Sequence, residues 1–160
     1  MKSTTQMLDL IGRWAERGWL RELDRAFAIF LVERAPDANP LLILAAALAS
    51  HQLGRGHVCL DLEATLADSR FALSLPPEGD SAKDAPELPG VLLDGFDLDG
   101  WRAVLRDPRL VGDGPGDTPL VLAGRRLYLR RYWQYERDVR AGIDQRLRQG
   151  DALRAALPAA

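Results

Sequence analysis

Apolar positions recur at three- and four-residue spacing over residues 5–18, where Leu8, Ile11, Trp14 and Ala15 share one face. That period predicts an amphipathic helix, with Gly18 as its stop signal. Leu23, Phe27, Phe30 and Leu31 draw a second stripe across residues 20–34. Asp37-Ala-Asn-Pro40 reads as a turn whose proline is suited to open a helix. The polar half of the pattern then disappears. Leu41 to Leu53 is almost wholly apolar, and a helix that is apolar all round has to be covered on all sides.

Beyond this run the periodicity shortens. Gly54-Arg-Gly56 breaks the helix. His57-Val-Cys-Leu60 is short and β-prone, and Asp61 is placed to cap a helix over residues 62–73, with Glu63 in its first turn. PPEGDSAKDAPELPG, residues 76–90, is rich in proline, glycine and acid and predicts a surface loop. Asp99 is expected to cap a short helix over residues 100–106, and residues 112–119 to form a second loop. PLVLAGRRLYL, from Pro119, carries the clearest β signal: two apolar triplets around Ala123-Gly-Arg125, a hairpin with glycine at the turn. An arginine-studded helix is predicted over residues 130–148. The expected fold is α+β and mostly helical: N-terminal helices, a short strand, then a hairpin followed by a long helix, with a winged-helix flavour. Residues 1–150 read as one domain.

Composition narrows the picture. The chain has 160 residues, 47% hydrophobic, enough for a real core. No apolar run reaches the ~18–20 residues that span a bilayer, and the N-terminal stretch lacks a signal-peptide pattern. Cys59 is the single cysteine, which excludes an internal disulfide and fits a reducing compartment. A cytoplasmic protein with no membrane partner is expected. The net charge of −2 is uninformative, but its distribution is uneven. Ten acids face two bases between Asp61 and Asp99, whereas eight arginines face three acids between Arg125 and Arg148.

Chemistry is sparse. Neither lysine follows a glycine, so these residues hold no P-loop. Gly112, Gly114 and Gly116 supply half of a dinucleotide fingerprint, in a proline-flanked loop. His51, His57 and Cys59 cluster in SHQLGRGHVCLDLEATL, residues 50–66. One sulfur and this spacing match no common structural zinc pattern, and no third group is evident to orient a Cys–His pair. Cys59 is expected to pack as a small apolar residue and His57 to bond a backbone group. No catalytic, cofactor or metal site is assigned.

The two segments LASHQLGRGHVCLDL and PLVLAGRRLYLRRYWQYER, in this order and at this separation, resemble the N-terminal region of RecD, the alpha subunit of exodeoxyribonuclease V (the RecBCD complex). The resemblance spans about residues 18 to 148. It implies an ATP-dependent 5′–3′ DNA helicase whose motor, with its ATP and magnesium, lies outside this chain, residues 151–160 being expected to begin the linker towards it. It also implies a non-catalytic domain that docks on RecC, with RecB in the same heterotrimer and DNA reached indirectly, in repair and recombination.

A docking domain is expected to expose aromatic or apolar patches, and aromatics with arginine dominate interface hot spots. Trp14, Trp19, Trp101 and Trp133 are candidates, with core filling as the plainer role. Arg125, Arg126, Arg130 and Arg131, with Trp133 and Trp19, are the expected partner-binding residues. An uncovered patch would also favour self-association of the isolated domain. The rival expectation is a winged nucleic-acid module that holds DNA phosphates through the arginine-rich hairpin.

Overall fold

The apolar run has to be enclosed, and in the computed structural model of the chain it is. The structure describes residues 2–80 and 83–156. Ser81, Ala82 and residues 157–160 fall outside the described residues, and with them part of the expected acidic loop and the end of the expected linker. Helix α3 (Pro40–Gly54) runs through the middle of the molecule, buried at every residue from Leu41 to Gln52. The Asn39 side chain accepts from the Leu41 backbone N–H at 2.9 Å, so Asn39 caps the helix and Pro40 sits where its missing N–H costs nothing.

One side of α3 is covered by α1 (Thr4–Glu16) and α2 (Glu22–Arg34), an antiparallel pair. A capping box starts α1: Ser3 Oγ accepts from the Gln6 N–H at 3.1 Å and the Gln6 side chain accepts from the Ser3 N–H at 2.8 Å. The other side meets a small sheet and short helices, in the order β1 (Leu60–Asp61), α4 (Leu62–Ala67), α5 (Ser69–Leu73), α6 (Pro89–Leu92), α7 (Leu98–Val104), β2 (Val111–Gly112), β3 (Leu120–Ala123), β4 (Arg126–Leu129) and α8 (Arg130–Ala156). The fold is α+β, mostly helical, as the pattern predicted.

Strand order is β1-β4-β3-β2. The predicted hairpin is β3–β4, with Val121 opposite Tyr128 and Leu122 opposite Leu127. Its turn residues are Gly124 and Arg125, and Gly124 takes φ +61°, the conformation a two-residue hairpin loop asks of glycine at its first central position. Both strand faces are buried. Leu120 and Leu127 join the main core, whereas Val121 and Tyr128 point the other way and are covered by Trp133 from α8.

The structure corrects several boundaries. The strand expected over 57–60 shrinks to Leu60–Asp61, pairing with β4. The helix expected over 62–73 is two helices, because Asp68 leaves helical geometry (φ −156°) and its carboxylate accepts from the Phe71 N–H at 3.2 Å. An Asp-Ser pair serves a helix start better than a helix interior. Asp97, not Asp99, caps α7, accepting from the Gly100 N–H at 2.7 Å. Helix α6 and strand β2 were not anticipated. Helix α8 continues to Ala156, past residues 148 and 150.

The acidic loop is fastened to the body. The Arg17 guanidinium donates to Asp80 at 3.0 and 2.7 Å, and the Trp19 indole N–H donates to the same carboxylate. These donors hold the Asp80 carboxyl below the usual range. Further along, the Trp14 indole donates to the Glu87 carbonyl at 2.9 Å, and Lys2 pairs with the Glu87 side chain at 2.8 Å.

Asp24 is the one acid with no exposure at all. Its carboxylate accepts from the Arg21 backbone N–H at 2.8 Å, the Arg21 guanidinium at 2.8 Å and the Ser50 hydroxyl at 2.6 Å. Arg21 in turn donates to the Ser50 carbonyl at 2.8 Å, so one carboxylate joins the start of α2 to the end of α3. Removing one member of such a group strands the others. Asp24→Ala is expected to cost about 3 kcal/mol in chemical denaturation, and Asp24→Asn clearly less. Equal losses for both variants would show that the charge pairing does not hold the junction.

Candidate partner-docking surface

The hairpin and the first turns of α8 form a basic corner, but most of its arginines are already engaged. Arg130 is built into the protein. Its guanidinium donates to the Gly114 carbonyl at 2.6 Å, the Thr118 carbonyl at 2.9 Å and the Thr118 hydroxyl at 2.6 Å. The glycine-rich loop thus exists to cradle an arginine: a β-carbon on Gly112 would lie 2.9 Å from that guanidinium and 2.7 Å from the Thr118 hydroxyl. Arg125 reaches back to Asp61 at 3.4 Å and Glu63 at 2.9 Å. Arg131 donates to the Tyr135 hydroxyl at 2.9 Å on its own helix. Arg125 alone of the four makes an ion pair among the described residues, and the Arg126 side chain lies beside the Tyr128 phenol.

The tryptophans lie inside. Trp14 and Trp101 are fully buried, Trp19 is 2% exposed and Trp133 is 8% exposed. Trp14 and Trp19 stack at 6.4 Å between ring centroids. Trp133 is flanked by the guanidiniums of Arg130 and Arg137, each 5.3 Å from its ring, and packs on Val121 and Tyr128. Each indole is worth more covering the core than facing water. In this conformation Trp19 offers no surface to a partner and Trp133 offers only an edge.

The His–Cys stretch is scaffold. His51 is buried, and its Nε2–H donates to the Leu73 carbonyl at 2.8 Å. Burial lowers its pKa below the ordinary histidine value. His57 is exposed, on the turn before β1. Cys59 is half-buried against Tyr128, and burial raises its thiol pKa, away from a reactive thiolate. Tyr128 is pushed up to about 12, by burial first and then by Glu136 beside it. Among the described residues no three potential metal ligands converge, and no helix is long and apolar enough to cross a membrane.

Among the described residues two open apolar surfaces stand out, and neither was named from the pattern. The first is on α8, where Tyr135, Val139, Ile143 and Leu147 recur every four residues and stay exposed, as does Leu153 beyond them. Only Trp133 of that helix is buried. The second is a concavity of about 790 Å³ between the 57–59 turn, α4–α5 and the start of β4. Phe71 and Val58 line it and are 84% and 52% exposed. The reading of residues 62–73 as one helix did not single out Phe71. The capping pair Asp68-Ser69 was the available signal that the chain turns there.

These features describe a small α+β domain with a full core, an arginine-braced sheet and apolar surfaces left uncovered among the described residues. Residues 16–128 match the family described as the N-terminal domain of RecBCD enzyme subunit RecD, and the chain belongs to that family. A comparison with curated proteins returned no match. Helix α8 lies beyond the matched segment.

His51 makes acid stability a test of the site's wiring. Because the folded ring resists protonation, the folded state binds fewer protons there than the unfolded chain. Stability is therefore full above the unfolded value of about 6.5 and declines as pH falls below it. His51→Gln, which can still donate to Leu73, is expected to show a smaller loss of denaturation midpoint between pH 7.5 and pH 5 than the unchanged protein. The same pH slope in both would remove His51 as the cause.

Proposed function

We propose that this chain is a non-catalytic docking domain that holds the RecD helicase motor on RecC within RecBCD, in the cytoplasm, for DNA-end processing and recombinational repair. Membership in the RecD family supports the setting. The observation that carries docking is the presence of uncovered apolar residues on a domain whose core is otherwise complete: Phe71 and Val58 at the concavity, and Val139, Ile143, Leu147 and Leu153 on α8. Surfaces of this kind mark places that another chain covers. On this reading ATP and magnesium act outside these residues, RecB is met through the heterotrimer, and DNA is met through the complex.

The rival DNA-binding reading is less well supported. A winged module needs an exposed recognition helix, and α3 is enclosed along its length. Its wing would be the hairpin, whose Arg125 and Arg130 already have partners within the domain.

Size-exclusion chromatography of the chain with RecC and RecB from the same organism, at moderate salt, tests the proposal. A stable shared peak is expected. Separate peaks, with the chain folded by circular dichroism, would place the anchor elsewhere in RecD.

A further inference from the structure

We infer that the concavity between the 57–59 turn and α5 is where the partner seats, receiving an apolar side chain beside Phe71 and Val58 while carboxylates flanking that side chain pair with Arg70 and Arg126. This deepens the docking proposal and rests on it.

Three observations converge on the concavity. The first is the anchor surface. Phe71, at 84%, has the highest exposure among the large hydrophobic residues described, and it stands at the edge of a cavity of about 790 Å³ rather than on a convex face. Concave, aromatic-lined sites surrounded by arginine are where interface energy concentrates.

The second is rigidity. A short helix carrying an exposed phenylalanine would ordinarily fray, yet α5 is tied down at both ends. Asp68 caps its start. At its end the His51 ring donates to the Leu73 carbonyl at 2.8 Å, Gln52 Nε2 to the Ala72 carbonyl at 2.9 Å, and Arg55 to the Ala72 carbonyl at 2.8 Å and the Ser74 hydroxyl at 2.9 Å. The polar residues at the end of the central helix and Arg55 after it therefore hold the backbone that carries Phe71, which reduces the ordering cost of binding. The buried histidine that has no chemistry of its own acquires a purpose here.

The third is charge. Arg70 and Arg126 both line the cavity, and neither makes an ion pair among the described residues. Both guanidiniums are exposed, Arg126 with the Tyr128 phenol as its neighbour, and exposed guanidiniums favour carboxylates. A continuous polyanion fits poorly, because Asp61 and Glu78 line the same cavity. That mixture suits discrete carboxylates around an apolar side chain, as an acidic protein segment presents them, rather than a run of phosphates. The apolar stripe on α8 lacks such an argument, since Arg146 interrupts it and nothing on it selects an occupant.

The test is quantitative binding of the 160-residue chain to purified RecC, with Phe71→Ala and Arg70→Glu measured against the unchanged protein. Both positions are exposed, so both variants should melt as the parent does; Arg126→Glu is a third variant at the opposite wall. Each is expected to weaken RecC binding about tenfold or more, and the arginine variants to remove most of its salt dependence. Unaltered RecC binding by all three would overturn the inference while leaving docking intact. Failure of the unchanged chain to bind RecC would overturn both. Loss of single-stranded DNA binding by the variants, with RecC binding kept, would make the concavity a nucleic-acid site and also overturn the inference.

Discussion

Enclosure of α3 is the constraint on which this domain rests. A helix with no polar face along Leu41–Ala49 cannot border water at any point, so the elements packed around it serve as its cover. Helices α1 and α2 close one side, and the sheet with α5 and α7 closes the other. The apolar residues end at Ala49, and the polar residues that follow, Ser50, His51 and Gln52, remain buried. Each of them must find a hydrogen-bond partner, and they do so on two covering elements: Ser50 on Asp24 in α2, His51 and Gln52 on Leu73 and Ala72 in α5. The end of the central helix thereby aligns the surface elements with one another.

Arginine does much of the remaining bracing. Arg17 holds the acidic loop, Arg21 the α2–α3 junction, Arg55 the end of α5 and Arg130 the glycine-rich loop, and Arg109 links Asp107 to Asp37 in the turn before α3. The guanidinium's several fixed donors allow one side chain to satisfy two or three loop carbonyls at once. Chain segments that lack regular structure gain order this way without enlarging the core. The separation of acidic and basic stretches along the sequence is partly undone in space, as Arg17–Asp80 and Arg125–Glu63 show.

The fold class, the enclosed helix and the hairpin were legible because each rests on local patterns: period, a glycine turn, an Asn-Pro cap. The two-residue strands were not legible, since Leu60–Asp61 and Val111–Gly112 are strands only by virtue of what they pair with. Asp97 and Asp99 are equally good caps by residue type, and which one serves is decided by tertiary geometry. The site was harder still. Arginines look alike in sequence, and only the fold separates Arg130, consumed by a loop, from Arg126, exposed beside Tyr128. The tryptophans were considered as surface anchors because large aromatics serve both cores and interfaces, and here the core holds all four. Phe71 stands on a helix of its own, which the single helix expected over 62–73 did not separate.

Helix α8 has a mechanical consequence. It is rooted at its start, by the Arg130 cradle, by Trp133 wedged between two guanidiniums over the sheet and by Glu136 beside Tyr128, and Trp133 is the one buried residue of its 27. At about 1.5 Å per residue it is a rod of about 40 Å, so a tilt of about 10° at the root carries its tip through about 7 Å. The hairpin is thus the fulcrum of a lever: a small adjustment of the sheet, too slight to disturb its pairing, becomes a displacement the size of a side chain at the far end.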